Sequence, residues 1–501
     1  MRGRAHPLRE MFQQGGIYAV GNAAAKIVGL LLMPLCLNPR FLAIEAFNLW
    51  GILVPTAQIL AILVGLGLNQ GLLRYYADPA YIAGQKLLAA SVFSTTALLS
   101  VAIVALGLAA AWFVFAGQVL AWMVVLLSAY VAAETVLRIP LDLLRAQERP
   151  TQYAVATVLK LGLTFGLTIY LLISHKAGIW ALLWGQLGGS AIALGYLIFV
   201  QRHLLLGRLS WTWLKIAMKY GVPLIVASLS SMVLNMGDRY LIEAFLGETE
   251  KGPVAIYTLA AQIAGVLNML LVQSFNLVFL VIALRASGGP DGGRSFYRSI
   301  FRIFGLMLLW SAMGLSLLAK EVVDVLMRYL GADPVYQTAP ALVPLMVYGY
   351  VFFGMANVVA IGLHLSARTG WISGAIFVSM VFNLGLNLVL IPRLGLWGAA
   401  LATLLAYGLL FGVSNWSAER LHPVGYPIAF FIKWMAVASL VTVILLEWPD
   451  GPLWLRASVK LLAIFGFALM LLLRYRAEIK TLLARTGLPG SFERAKSSVL
   501  G

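Results

Sequence analysis

Four cations stand inside long apolar stretches of this 501-residue chain: Lys26, Lys160, Arg239 and Lys460. A cation at mid-bilayer costs about 2.5–3.5 kcal/mol on insertion scales. Each therefore needs a partner, a wet cavity or a route to the headgroups. Lys26 lies near the centre of its stretch, with Asn22 one turn away on the same helical face. Two readings stay open for it: a cation lining a polar cavity for an anionic substrate, or a structural ion pair to Asp238 or Glu134. Lys160 and Lys460 lie nearer the ends of their stretches, and their long stems are expected to snorkel to an interface. Asp238 and Arg239 are neighbours, so on a helix they point about 100° apart and cannot simply pair; each needs a partner elsewhere, or one reaches the outer interface. A carboxylate in an apolar cavity takes up a proton more readily than in water, which makes Asp238 the candidate for coupling to H+ or Na+. Glu134 is a weaker candidate, because it lies near a span end where water can solvate it.

Amides are spread through the same stretches: Gln58, Asn69, Asn235, Gln262, Asn268, Gln273, Asn276, Asn383 and Asn387. Asn383 and Asn387 share a face. Such stripes bind helices to one another, and they are also what a sugar-carrying cavity uses. The chain has no phosphate-cradling GxxxxGK[ST] sequence. Its five histidines are scattered without metal-ligand spacing, and Cys36 is its only cysteine. No metal or other cofactor is expected. Prolines 34, 55, 223, 340 and 344 mark kinks or breaks in the stretches.

The elements that hold these groups follow from composition. Apolar residues make up 61% of the chain and charged residues 11%, far below the roughly 25% charged of a soluble domain. This excludes a soluble enzyme, a disordered chain and a disulfide scaffold. Fourteen apolar runs are long enough to cross a bilayer: 15–37, 46–69, 87–110, 118–137, 151–173, 178–200, 219–242, 254–283, 300–318, 340–364, 370–391, 395–416, 428–447 and 455–473. The run 254–283 is long for one crossing and is expected to tilt or to pass the headgroups. The fold class is an all-α integral membrane protein of about 14 transmembrane helices.

The net charge of +17 suggests nucleic acid at first sight. Its distribution gives a membrane reading instead. With the N-terminus inside, 25 Lys and Arg fall in inside segments, Arg74, Arg138, Arg145 and Arg149 among them, and seven fall outside. That asymmetry places both termini in the cytoplasm, and no nucleic-acid partner is needed. The basic stretch 202–219, with Trp211 and Trp213 set into it, reads as an amphipathic linker helix on the inner surface. It divides the chain into a lobe at 1–201, a lobe at 220–417, an additional helix pair at 418–474 and a basic tail at 475–501.

Several segments together resemble a known family. GGIYAVGNAAAKIVGLLLMPLCL (15–37), GLGLNQGLLRYYAD (65–78), LRAQER (144–149), YGVPLIVASLSSMVLNMGDRYLI (220–242), AIYTLAAQIAG (255–265) and NLGLNLVLIPRLGLWGAALATLLAY (383–407) resemble, in order, segments of the polysaccharide-transport branch of the multidrug/oligosaccharidyl-lipid/polysaccharide exporter superfamily. Arg74 matches a characteristic arginine, and Asp238–Arg239 matches an Asp-Arg pair. The resemblance implies two six-helix lobes around a central cavity, with 428–473 as an additional pair that shelters a lipid tail. It implies a non-enzymatic flippase in the cytoplasmic membrane. The cargo would be a polyprenyl-diphosphate-linked oligosaccharide, carried by alternating access and handed to glycan polymerase and assembly proteins.

On that implication Lys26 and Arg239 meet the diphosphate or acidic sugars, Arg74 stands at the inner gate, and Asn22, Gln262 and Asn383 meet sugar hydroxyls. The first helix offers only Lys26 where relatives that carry the peptidoglycan precursor hold several arginines, which favours a glycan repeat. Two alternatives stand beside this reading. One is a drug or cation antiporter of the same superfamily, against which the terminal helix pair argues. The other is a membrane glycan polymerase or glycosyltransferase, for which the segment 319–339, with Glu321, Asp324, Arg328 and Asp333, is the only candidate catalytic loop.

Overall fold

The computed structural model describes residues 32–485, apart from 77, 116, 288–290, 367, 369 and 448–451; side chains at 277, 278, 280, 281, 284, 285 and 477–485 are not described. The regular elements among the described residues are helical. In chain order they are α1 (Ile44–Gly65), α2 (Leu68–Tyr76), α3 (Gln85–Phe113), α4 (Val119–Ala146), α5 (Pro150–Ser174), α6 (Ile179–Leu205), α7 (Trp211–Met236), α8 (Asp238–Leu246), α9 (Pro253–Leu267), α10 (Gln273–Ala286), α11 (Arg294–Leu330), α12 (Ala339–Val359), α13 (Ile361–Leu365), α14 (Gly370–Leu394), α15 (Leu396–Leu421), α16 (Ile428–Leu446) and α17 (Leu453–Arg485). Thirteen membrane-length apolar spans occur among the described residues, in the order expected for the second to fourteenth. The first expected span lies outside the described residues, except for the helical turn at 32–37.

Many large apolar side chains face outward. In α3 alone, Leu98, Val101, Leu106, Trp112 and Phe113 are more than 60% exposed. Water would not tolerate that surface, whereas lipid matches it.

The helices outrun their apolar runs. Hydropathy marks only the length that sits in hydrocarbon, and a helix continues past it once its side chains turn polar. Thus α4 extends to Ala146 and carries Arg138, which was expected in a loop. Likewise α11 spans 37 residues and absorbs Glu321 and Asp324. The long run at 254–283 is one path through α9, a π-helical turn at Asn268–Val272 and α10. The basic stretch 202–219 does not form a helix of its own. It closes α6 at Leu205 and enters α7 at Trp211, which continues unbroken to Met236.

The chain divides into two units. The first holds the residues up to Thr258 with Val325–Tyr336 and Leu384–Ala399; the second holds Leu259–Asp324, Gln337–Asn383 and Ala400 onward. In the first, α5 lies along α6, α3 along α4, α4 along α6 and α2 along α7. Leu68, Leu72, Leu88, Val92, Ile139 and Leu143 form a dry cluster there. In the second, Phe301 stacks among Phe411, Tyr426 and Phe431. Arg298 donates its Nε–H to the Val424 carbonyl at 2.7 Å, fixing the turn before α16.

Candidate functional site

The second expected span is broken within the first unit. Leu66 (φ 47°) and Gly67 (φ 66°) both take left-handed backbone between α1 and α2. For a leucine that geometry costs about 1 kcal/mol or more. The neighbour that holds it is α7. A Cβ on Gly67 would stand 2.2 Å from the Gly221 carbonyl oxygen, and one on Gly71 would stand 2.4 Å from that of Ala217. The two backbones touch where only glycine fits. A broken membrane helix frees backbone groups and tends to mark a binding region.

Beside the break, α4 carries a stripe of charge. Glu134, Arg138, Asp142 and Arg145 follow at steps of four, four and three, so they share one face. Lys160 on α5 places Nζ 2.6 Å from Glu134 Oε2, and Ser190 on α6 donates to the same oxygen at 3.0 Å. Lys160 therefore does not snorkel, and Glu134 is held by a cation and a hydroxyl rather than left to water. At the other end of the stripe Arg145 donates to Asp142 at 3.0 Å, and Asn69 of α2 donates to the second Asp142 oxygen at 3.1 Å.

Arg138, between the two carboxylates, feels the field of both. It has no hydrogen bond or ion pair to a described residue, because each carboxylate is already engaged by another cation. The five charges of the group leave one positive charge over. Arg138 lines a cavity of about 80 Å³ at the helix break, together with Gly67, Asn69, Gln70, Thr135 and Ser228.

A second polar corner forms around α8. Asp238 and Arg239 are 3% and 7% exposed, and they find separate partners. Asp238 accepts from the Tyr257 hydroxyl. Arg239 Nε donates to the Thr258 hydroxyl at 3.4 Å, while its Nη1 is buried without a hydrogen bond among the described residues. Asn48 of α1 ties the corner together. Its Oδ1 accepts from the Val254 and Ala255 amides at the start of α9, and its Nδ2 donates to Glu243 at 2.8 Å.

The remaining sequence candidates fall in different settings. Lys26 and Asn22 lie outside the described residues. Arg74 is exposed in the last turn of α2 and does not line the cavity at the break. Gln262 is exposed on α9. Asn383 is 1% exposed within α14, so a sugar hydroxyl reaches it only after the helix moves. Lys460, expected to snorkel, is 3% exposed and places Nζ 2.7 Å from Glu321. One turn away Arg456 lies 2.6 Å from Asp324. Two carboxylates of the supposed catalytic loop, Glu321 and Asp324, are thus helix residues of α11 in ion pairs to α17, and Asp333 lies in the turn beyond α11. Among the described residues no group of three or more His, Cys, Asp or Glu is placed to hold a metal.

Sequence reading missed Arg138 by ending the fourth span at 137. The i, i+4, i+8 recurrence of Glu134, Arg138 and Asp142 was the available sign that the helix continued.

An all-helical architecture of membrane-length spans defines the class, and solved structures share that fold. The chain is similar to a structure titled "Lipid II flippase MurJ, inward closed conformation", at 15% identity and a TM-score of 0.69, over 92% of this chain and 99% of that one. It is also similar to inward-facing and outward-facing structures of a multidrug resistance MATE family transporter of the MOP superfamily. Their identities are 16% and 17% and their TM-scores 0.62 and 0.57; they cover 85% and 84% of this chain and 96% and 97% of theirs. The chain shares the fold of these structures. A search of curated protein sequences gives no match. Residues 11–280 match the model of the family described as "Polysaccharide biosynthesis protein", and the chain belongs to that family.

Proposed function

We propose that the protein is a flippase. It moves a polyprenyl-diphosphate-linked oligosaccharide, the repeat unit of a surface polysaccharide, from the inner to the outer leaflet of the cytoplasmic membrane. The observation that carries this reading is the family match over residues 11–280. The chemistry supports it. A glycosylated diphosphate is anionic and heavily hydrated, and hydrocarbon excludes it. A buried arginine within the spans, Arg239, and a cavity cation at the end of one, Arg138, can replace part of that hydration. Lys26, Asn22, Arg239 and Gln262 are the residues proposed to meet the headgroup, with Arg74 at the inner entrance and Asn383 engaged once α14 moves. Asp238 is proposed to couple transport to H+ or Na+. The two lobes alternate access, both termini stay in the cytoplasm, and glycan polymerase and assembly proteins receive the cargo.

The likeness to MATE transporters favours a second reading, export of a drug in exchange for an ion. Loss of the protein from its own cell separates the two. The flippase reading expects loss of displayed glycan with intracellular accumulation of the lipid-linked repeat, restored by the intact chain and not by a well-inserted Lys26→Ala or Arg239→Ala variant. Undiminished glycan display, with drug sensitivity in its place, decides for the antiporter.

A further inference from the structure

We infer that the cavity at the α1–α2 break is a docking site for one phosphoryl group of a lipid phosphate ester, with Arg138 as its charged ligand. This deepens the flippase reading and rests on it for the identity of the natural lipid.

Charge, space and lining carry the inference. Arg138 stands on the cavity wall without a bonded counter-ion among the described residues, while both neighbouring carboxylates are occupied by Lys160 and Arg145. The two flanking pairs are neutral. A guanidinium just past the apolar run of α4, with both neighbouring carboxylates engaged, is left to an anion or water, and its geometry suits a phosphoryl oxyanion. The lining supplies further donors in the Asn69 and Gln70 amides and the Thr135 and Ser228 hydroxyls. Gly65 and Gly67 add backbone to the lining.

At about 30 Å³ of liquid volume per water, the cavity of about 80 Å³ has the space of roughly two or three waters. That suits a phosphoryl group and excludes a sugar ring with its substituents. The ion pairs also have a job in this arrangement. By engaging Glu134 and Asp142 they keep Arg138 from being neutralised by its own helix.

A phosphoryl oxyanion can come from an isoprenoid diphosphate or from a membrane phospholipid, and the test separates them. The full chain is held in phosphatidylcholine nanodiscs and titrated with farnesyl diphosphate. Nanodiscs doped with phosphatidylglycerol form a second arm. The expected result is saturable binding of farnesyl diphosphate that weakens with added salt. It should be at least tenfold weaker in Arg138→Gln, with Arg138→Lys in between. Ser228→Leu fills the cavity without touching a charge and should weaken binding equally.

If phosphatidylglycerol competes with farnesyl diphosphate and Arg138→Gln removes the competition, the site stands and membrane phospholipid occupies it. If it does not compete, the isoprenoid diphosphate is the ligand. Equal affinity of the intact chain and of a folded Ser228→Leu or Arg138→Gln protein overturns the site, as does absence of binding in the intact chain. Transport is a separate readout. Binding lost with Arg138→Gln in a chain that moves no glycan lipid sinks the flippase reading and leaves the site. Glycan-lipid transport with binding unaltered by Arg138→Gln sinks the site and leaves the flippase.

Discussion

Lys160 Nζ and Glu134 Oε2 lie 2.6 Å apart in the interior of the first unit, with the Ser190 hydroxyl on the same oxygen. Each charge alone would be expelled from hydrocarbon. Together they let α4, α5 and α6 carry charge at membrane depth, and they hold one carboxylate away from Arg138. Breaking such a pair from one side leaves a stranded charge and costs about 3 kcal/mol. Glu134→Gln is therefore expected to lower the melting temperature of the purified protein clearly. The double variant Glu134→Gln/Lys160→Met should recover most of the loss. An unchanged melting temperature in the single variant would show that water, not the pair, serves Lys160.

The Asn48 side chain caps α9 through two amides and holds Glu243 at the same time. Loss of a cap costs about 0.5–2 kcal/mol. Asn48→Ala should lose at least that much, and Asn48→Asp less, because its carboxylate still accepts from both amides but repels Glu243. Equal stability of Asn48→Ala and the intact chain in denaturation by heat would contradict the cap.

Contact of α2 with α7 depends on missing side chains. Gly221→Ala places a methyl carbon 2.2 Å from the Gly67 carbonyl oxygen. Overpacking of this kind costs about 1–3 kcal/mol. Gly162→Ala and Gly166→Ala in α5 are the controls, since an added Cβ there meets nothing within 4 Å. They should be neutral or stabilising by about 0.5–1 kcal/mol. Equal melting temperatures for all three variants would deny the close approach.

In the second unit, α17 is riveted to α11 by Lys460–Glu321 and Arg456–Asp324. Antiparallel helices bring i, i+4 cations against i, i+3 carboxylates in this order. A double-mutant cycle on Lys460→Ala and Glu321→Ala should return a coupling of about 1–3 kcal/mol. Coupling near zero would mean that the two charges ignore each other.

The spans were legible in the sequence because hydrocarbon demands continuous apolar runs, and every run from 46 onward falls on helix, in one piece or, at 46–69, 219–242, 254–283 and 340–364, in more than one. Helix ends were not, since a helix keeps its hydrogen bonds after leaving hydrocarbon; Arg138, Glu321 and Asp324 were lost to loops for that reason. That Asp238 and Arg239 do not pair with each other followed from helix geometry alone; that both find partners inside the protein did not. Lys160 and Lys460 defeated the snorkelling expectation because their partners come from other helices, far away along the chain. The αL pair Leu66–Gly67 showed only as an ordinary GLGL within a span, and its meaning came from the glycine facing it on α7.

Leaflet exchange measured directly tests the central claim. The purified chain is reconstituted into vesicles loaded with a fluorescent polyprenyl-diphosphate oligosaccharide, and outer-leaflet cargo is read by a quencher that cannot cross. The account predicts exposure well above protein-free vesicles, lost with Arg239→Ala in a protein that inserts normally. Exposure equal to protein-free vesicles, from a chain shown to be folded and inserted, would contradict it.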